Sequence, residues 1–185
     1  MKKQIKKAII QLEKAKIILY PTDTVWGIGC DATSEEAVKK IYQLKQREES
    51  KSLIVLVDSL EMLQTYVANI PNEIKAYLIK ITEPTTVIYS NPKNLAKNTI
   101  AKDNTIAIRI VKKGFAYHLI SAFKKPIIAT SANISNTKTP MHFDEISTNL
   151  KNEIDFIVWY NQDKKAVKPS KIIRFAENKI VILRD

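Results

Sequence analysis

Cysteine and histidine are nearly absent: Cys30, His118 and His142 are the whole supply in 185 residues. That excludes an intramolecular disulfide framework and a zinc site of several cysteines, and leaves little for any structural metal. Only three glycines occur, and the pattern GxxxxGK[ST] is missing, so a P-loop is excluded. No apolar run approaches the roughly 20 residues that cross a bilayer. The basic start MKKQIKKAIIQLEKAK resembles the head of a signal peptide, but Gln11, Glu13 and Lys14 interrupt its apolar portion. It reads as an amphipathic helix, which gives a cytoplasmic location and no membrane partner. There is no Ser/His/Asp order, no pair of carboxylates at an evident spacing, and no candidate cysteine nucleophile.

What is present is a globular balance, 45% hydrophobic and 26% charged. No repeat or low-complexity linker marks a boundary, so residues 1–185 are expected to form one domain. The net charge is +11. Such an excess invites a polyanion, although scattered lysines are commonly a solvated surface. Of the 30 basic residues, 26 are lysine, and the four arginines are Arg47, Arg109, Arg174 and Arg184. Where lysine is the default cation, an arginine marks a position at which a planar fork for phosphate or carboxylate is useful.

Hydrophobic spacing predicts a helix over 4–15, a buried strand at 17–20, and a loop through PTDTVWGIGCDAT. Thr33 and Glu36 read as a capping box opening a helix that runs to about Lys45. A strand at 53–57 follows, then a helix opened by Asp58 and Glu61. Further on come a helix from Pro71 to Ile79, a β-rich stretch at 85–89, and an irregular loop over 91–104. A strand at 105–111, a helix at 115–123 and a strand at 127–129 follow. The last third reads as a helix near 143–151, a strand at 156–158, and strands at 172–175 and 180–183 joined by a turn at Asn178. Alternating strands and helices closing in a hairpin argue an α/β fold with a mixed sheet.

Three segments carry the candidate chemistry: Pro21–Gly29, Lys45–Lys51 and Thr130–Ser135. Each also has an ordinary structural explanation. PTDT can be a turn; Gly27 and Gly29 form a GxG, weak on its own; KQREESK can be a solvated helix end; TSANIS can be turn chemistry. Together they supply Lys45, Arg47 and Lys51 for a triphosphate, Ser131 and Asn133 for phosphate, ribose or magnesium, and Thr22 and Thr24 to frame a small polar substrate. Chemistry resting on positioning and charge neutralisation fits nucleotidyl transfer.

The segments YPTDTVWGIGCDAT, IYQLKQREESKSLIVLV and ATSANIS, with Arg109 in IAIRIV and Pro169-Ser170 before a strand, resemble the YrdC-like threonylcarbamoyl-AMP synthase family across residues 5–184. The resemblance implies a twisted mixed α/β sheet of the YrdC-like type with helices packed around it and a basic concave cavity. It implies a reaction joining L-threonine, bicarbonate or CO2, and ATP with magnesium into threonylcarbamoyl-adenylate, with release of pyrophosphate. Transfer proteins would then carry the threonylcarbamoyl group to adenosine 37 of tRNA. It assigns Lys45, Arg47, Thr86, Ser131, Asn133 and Ser170 to ATP, with Lys45 and Arg47 as the catalytic pair, and Thr22, Thr24, Lys51 and Arg109 to threonine; no protein metal site is implied.

The chain departs from the family at Glu83, where glycine is common, at Asn136 after SANIS, and at Val111-Lys112-Lys113. It is also expected to lack the extra C-terminal domain of longer members. Two other readings stand beside the synthase: a binder of tRNA or double-stranded RNA using the basic cavity, and a nucleotide-binding paralogue without synthase activity.

Overall fold

The computed structural model describes residues 1–48, 52–163, 165–176 and 179–185. Six α-helices and nine strands alternate through it in the order α1 (Lys2–Glu13), β1 (Ile18–Pro21), β2 (Trp26–Gly29), α2 (Glu35–Leu44), β3 (Ile54–Val57), α3 (Leu60–Tyr66), α4 (Asn72–Lys80), β4 (Thr85–Ser90), β5 (Thr105–Ile110), α5 (Gly114–Phe123), β6 (Ile127–Ser131), α6 (Thr148–Asn152), β7 (Phe156–Ile157), β8 (Lys171–Ala176) and β9 (Lys179–Arg184). All nine strands join one sheet, ordered β7-β1-β2-β6-β3-β5-β4-β8-β9. Three neighbouring pairs, β1·β7, β3·β5 and β4·β8, are parallel and the rest antiparallel, so the sheet is mixed as expected.

The two-residue alternation of strand side chains divides the core between the faces. One face carries Leu19, Ile28, Val55, Val87, Ile106 and Ile108, and α2, α3 and α4 cover it. The other carries Ile18, Tyr20, Leu56 and Ile127, packed against Leu12 of α1 and Phe115, Leu119 and Ile120 of α5. Full burial of each such side chain contributes about 1.5–3 kcal/mol. The α1–α5 pair covers only part of its face. Beyond it, Gly27, Ile54, Ala107, Arg109, Ile88 and Ile172 point the same way and floor an open cavity.

Several local expectations shift. The stretch expected to be a loop after Pro21 is a hairpin, with β2 pairing antiparallel to β1. The helix expected to open at Thr33 is capped instead by Ser34, whose Oγ accepts from the Ala37 N–H at 3.2 Å. Thr33 Oγ1 turns to Asp31 Oδ1 at 2.6 Å. Likewise Ser59, not Asp58, caps α3, and the Asp58 carboxylate accepts from Ser121 at 2.7 Å. The helix expected near 143–151 divides into a 3-10 turn at Phe143–Glu145 and the short α6. The irregular 91–104 loop holds a 3-10 turn at Lys97–Thr99. The closing hairpin pairs as expected, while Asn178 lies outside the described residues. Its last strand, β9, is the outermost of the sheet and exposed along its whole length.

Candidate active site

The cavity has a volume of about 360 Å³. Its walls come from the β1–β2 turn (Thr22, Thr24), the chain after α2 (Arg47, Ser52), the end of β6 (Thr130, Ser131) and the approach to β8 (Pro169, Ser170). Of the four arginines, three line it: Arg47, Arg109 and Arg184. Among the described residues, no Asp or Glu lines it.

Arg109 stands on the floor, central in the sheet, with Leu56 and Thr86 as its neighbours across β3 and β5 and across β4 and β5. It is 3% exposed. Its Nη1 lies 2.9 Å from Asp23 Oδ1, but off the line of a hydrogen bond. Asp23 Oδ1, Arg109 Nη1 and Arg109 Nε are therefore all buried without one. Buried polar atoms are usually satisfied, so this guanidinium on the cavity floor, with Nε unpartnered and Nη1 held only by the Asp23 charge, keeps hydrogen-bonding capacity unused.

The glycine pair has a packing role. A Cβ on Gly29 would lie 2.2 Å from the carbonyl oxygen of Ile128 and 2.7 Å from the Tyr20 ring; one on Gly27 would lie 3.1 Å from Thr22 Cγ2. Neither glycine has positive φ. The GxG thus lets Tyr20 lie flat across β2 and donate its hydroxyl to Ile128 O at 3.0 Å; it is not a loop cradling phosphate. Burial pushes the Tyr20 hydroxyl far above its usual pKa, so it stays a neutral donor. Thr22 Oγ1 donates to Val25 O at 2.7 Å and accepts from the Thr24 N–H at 3.0 Å, which fixes the turn and holds the Thr24 hydroxyl 3.0 Å away.

Lys45 ends α2 with its ammonium buried, donating to the carbonyls of Ser131 at 2.6 Å and Asn133 at 2.5 Å. The backbone returns the contact, since the Ser135 N–H donates to Lys45 O at 3.0 Å. Lys45 thus stitches the 131–135 segment to α2 and is not among the residues lining the cavity. Burial, and then the neighbouring Arg47 charge, lower its pKa to about 8. Arg47 follows Gln46, which takes positive φ of 47°; this turn carries Arg47 to the cavity, where Nη2 donates to Ser52 O at 2.9 Å.

Of the other expected site residues, Ser131 and Ser170 line the cavity. Thr86 is fully buried and pairs its hydroxyl with Ser170 Oγ at 2.8 Å. Asn133 turns Nδ2 onto Thr137 O at 2.6 Å, and its Oδ1 is buried without a partner. Lys51 lies outside the described residues. The structure adds Arg184, which donates from Nη2 to Ser170 O at 2.7 Å and shares the cavity with Arg109; burial and the Arg109 charge lower its pKa. Its scarcity as an arginine was the available signal.

The three departures have physical accommodations. Asn136 adopts positive φ of 67°, a conformation asparagine tolerates. Glu83 has no positive φ and pairs with Lys171 at 2.7 Å. Lys112 Nζ donates to Leu78 O and Ile81 O at 2.8 and 2.7 Å, satisfying carbonyls at the end of α4.

The sequence model of the Sua5/YciO/YrdC family, described as telomere recombination, matches residues 11–185. A threonylcarbamoyl-AMP synthase of Pseudoalteromonas translucida is 33% identical over 155 residues, covering 82% of each chain. Another, of Buchnera aphidicola, is 30% identical over 178 residues, 95% of this chain and 93% of that one. Among solved structures, P. abyssi Sua5 complexed with L-threonine superposes with a TM-score of 0.84 at 27% identity; the match covers 97% of this chain and 53% of the longer Sua5. E. coli YciO has the same fold, with a TM-score of 0.85 at 23% identity.

Proposed function

The chain belongs to the Sua5/YciO/YrdC family, and on that footing we propose that it is an L-threonylcarbamoyladenylate synthase acting in the cytoplasm. In this reaction the amine of L-threonine takes up CO2 with loss of a proton, or bicarbonate with loss of water, to give a carbamate. A carbamate oxygen attacks the α-phosphorus of ATP, the bond to the bridging oxygen breaks, and pyrophosphate leaves. Transfer proteins then deliver the threonylcarbamoyl group to tRNA.

The observation that carries the reading is the convergence of Arg47, Arg109 and Arg184 on one cavity with no carboxylate among the described residues of its lining. Three fixed cations suit an ATP whose negative charge moves onto the leaving pyrophosphate, and charge stabilisation in a cavity is worth more than in water. Arg109 is the proposed anchor of the threonine carboxylate or of the carbamate, because its guanidinium stands on the cavity floor with Nε unpartnered and Asp23 as its ion-pair partner. Arg47 and Arg184 take the phosphates. Ser131, Thr130 and Ser170 offer neutral donors and acceptors. Lys45 and Thr86 act one layer back, holding the Ser131 backbone and the Ser170 hydroxyl. Thr24 faces the cavity beside Thr22, where a threonine hydroxyl would find a partner. Lys51, outside the described residues, is assigned to threonine on the family resemblance alone. Magnesium, when bound, would neutralise the triphosphate; among the described residues the cavity offers it only neutral oxygens, so its charged ligands would be the phosphates themselves.

The test is pyrophosphate release, with labelled bicarbonate to follow the product. Release requires ATP, bicarbonate and threonine together. An equal rate without threonine assigns the cavity to a nucleotide-hydrolysing paralogue and sinks the synthase reading.

A further inference from the structure

The two outer edges of the sheet are built differently. At one, β7 pairs over only Phe156 and Ile157, so it offers little backbone to another strand. At the other, β9 runs for six residues without proline or glycine. Among the described residues nothing pairs with its outer side. Ile180, Val181, Ile182 and Leu183 fill its centre, each 38–56% exposed. Proteins protect a free edge by keeping it short, by a charge or proline within it, or by a bulge that bends it away. No charge or proline interrupts Ile180–Leu183. The one irregularity falls opposite the Ile172–Ile173 step, towards the end of β9, while Ile180, Val181 and Ile182 pair regularly with Phe175, Arg174 and Ile173. A row of free N–H and C=O groups, with β-branched side chains on both faces, is a template for another strand.

The charges stand at the ends of this row, Lys179 at one and Arg184 with Asp185 at the other. Arg184 lines the cavity and donates to Ser170 O. Asp185 pairs with Lys171 at 3.2 Å, yet its side chain stays 71% exposed and open to a further cation. A like strand laid parallel to β9 would set lysine against lysine. Laid antiparallel, it sets Lys179 of each strand beside the Asp185 end of the other, and opposite charges across a strand pair stabilise it.

We propose that β9 pairs antiparallel with β9 of a second copy of this chain, across a two-fold axis normal to the sheet near Val181. The contact is self-complementary and closed: each copy has one such edge and uses it, and the two-residue β7 edge does not extend the pair into a fibre. Two six-residue strands make a small contact beside the roughly 1,000 Å² of a stable interface, so the dimer is weak and reversible. Pairing runs along the strand edge and leaves the cavity open. It also holds β9 from both sides, and β9 carries Arg184. This consequence rests on the assignment of Arg184 to the phosphates: an anion on Arg184 and the pairing of β9 then strengthen each other by the same factor.

The test is sedimentation velocity of the ligand-free chain from about 2 to 500 µM, since association follows concentration. The sedimentation coefficient rises from that of a monomer to that of a dimer and stops there. Val181→Lys sets like charges face to face at the axis and stays monomeric throughout, while its melting temperature at the lowest concentration stays within a few degrees of the unsubstituted protein. Pyrophosphate tightens the association severalfold in the unsubstituted chain and still raises the melting temperature of Val181→Lys. A chain that is monomeric at every concentration, which leaves the edge to a strand of another protein, would overturn the proposal. So would a dimer that Val181→Lys leaves intact, or growth past the dimer. Pyrophosphate that binds but leaves association unchanged overturns the bracing of Arg184; pyrophosphate that does not bind overturns the phosphate assignment, with the ligand-free dimer standing.

Discussion

Arg109 Nη1 and Asp23 Oδ1 stand 2.9 Å apart, both largely buried, without a directed hydrogen bond between them. The pair lowers the cost of burying a guanidinium on the sheet floor, yet keeps part of it uncommitted. Removing one partner of a buried pair commonly costs about 3–5 kcal/mol, because the other charge is left alone. Asp23→Asn is therefore expected to lower the melting temperature markedly. Pyrophosphate or ATP raises it by more in the variant than in the unsubstituted protein, since an anion can then take the place of the lost carboxylate. Equal ligand shifts in the two melts would show that Asp23 does not tune this arginine.

Arg47→Lys tests the fork. The guanidinium is a planar fork of several N–H donors, of which Nη2 holds Ser52 O; an ammonium is a point charge on a stem. The fold should persist, because Arg47 lies in a partly exposed segment outside both core clusters. The rate of adenylate formation should fall roughly tenfold to a thousandfold, about 1.4–4 kcal/mol of transition-state stabilisation. Steady-state kinetics with a melting control decide it, and unchanged kinetics would remove Arg47 from the phosphate site.

Lys45 gives a pH dependence whose activity and stability limbs run in opposite directions. Its pKa is lowered to about 8 in the folded protein, chiefly by burial. Between about 8 and the ordinary lysine value near 10.4, the unfolded chain binds more protons at this residue than the folded one, so its contribution to stability rises with pH. Activity falls as pH passes through about 8, because losing the ammonium charge weakens its hold on the Ser131 and Asn133 carbonyls. Lys45→Met should be slow throughout and lack that inflection. A variant retaining the same inflection would place the titrating group elsewhere.

The glycines of β2 should differ in kind. Gly29→Ala drives a methyl into the Ile128 carbonyl, 2.2 Å away, and nothing flexible can yield. A loss of about 3 kcal/mol or more is expected, at the upper end for overpacking. Gly27→Ala meets the methyl of Thr22 at 3.1 Å and the Tyr20 ring at an ordinary 3.5 Å. It should melt near the unsubstituted protein while raising the KM for threonine more than that for ATP. Chemical denaturation and substrate titrations separate the two; equal destabilisation would contradict the account of the hairpin.

The fold class and most elements were legible because their signals are local. Ile5, Ala8 and Leu12 repeat at helical spacing, and Ile106 and Ile108 alternate with residues of the other face. β2 was not, because WGIG has too few side chains to show alternation and its glycines imitate a phosphate loop. Their reason is the ring of Tyr20 on the adjacent strand, a tertiary fact. The caps slipped because several hydroxyls and carboxylates compete within a few residues, and hydrogen-bond geometry selects Ser34 over Thr33 and Ser59 over Asp58. Around the cavity, Thr22, Thr24, Arg47 and Ser131 were legible from residue type and loop position, and Arg109 and Ser170 from the family resemblance. That Lys45 faces two carbonyls, and that Thr86 lies beneath Ser170, depends on side-chain directions that spacing alone does not give.

The outermost strand, β9, is paired on one side only, and Ile180 to Leu183 gain little from burial. It nevertheless carries Arg184 to the cavity rim. The third arginine of the site therefore rides on an element whose separation from the sheet should be among the least costly local openings of the molecule. An anion bridging Arg184 and Arg109 would work as a staple between hairpin and sheet floor. Amide hydrogens of β8 and β9 should exchange more slowly when the cavity is filled, and whatever frays that hairpin should loosen the ligand by the same free energy.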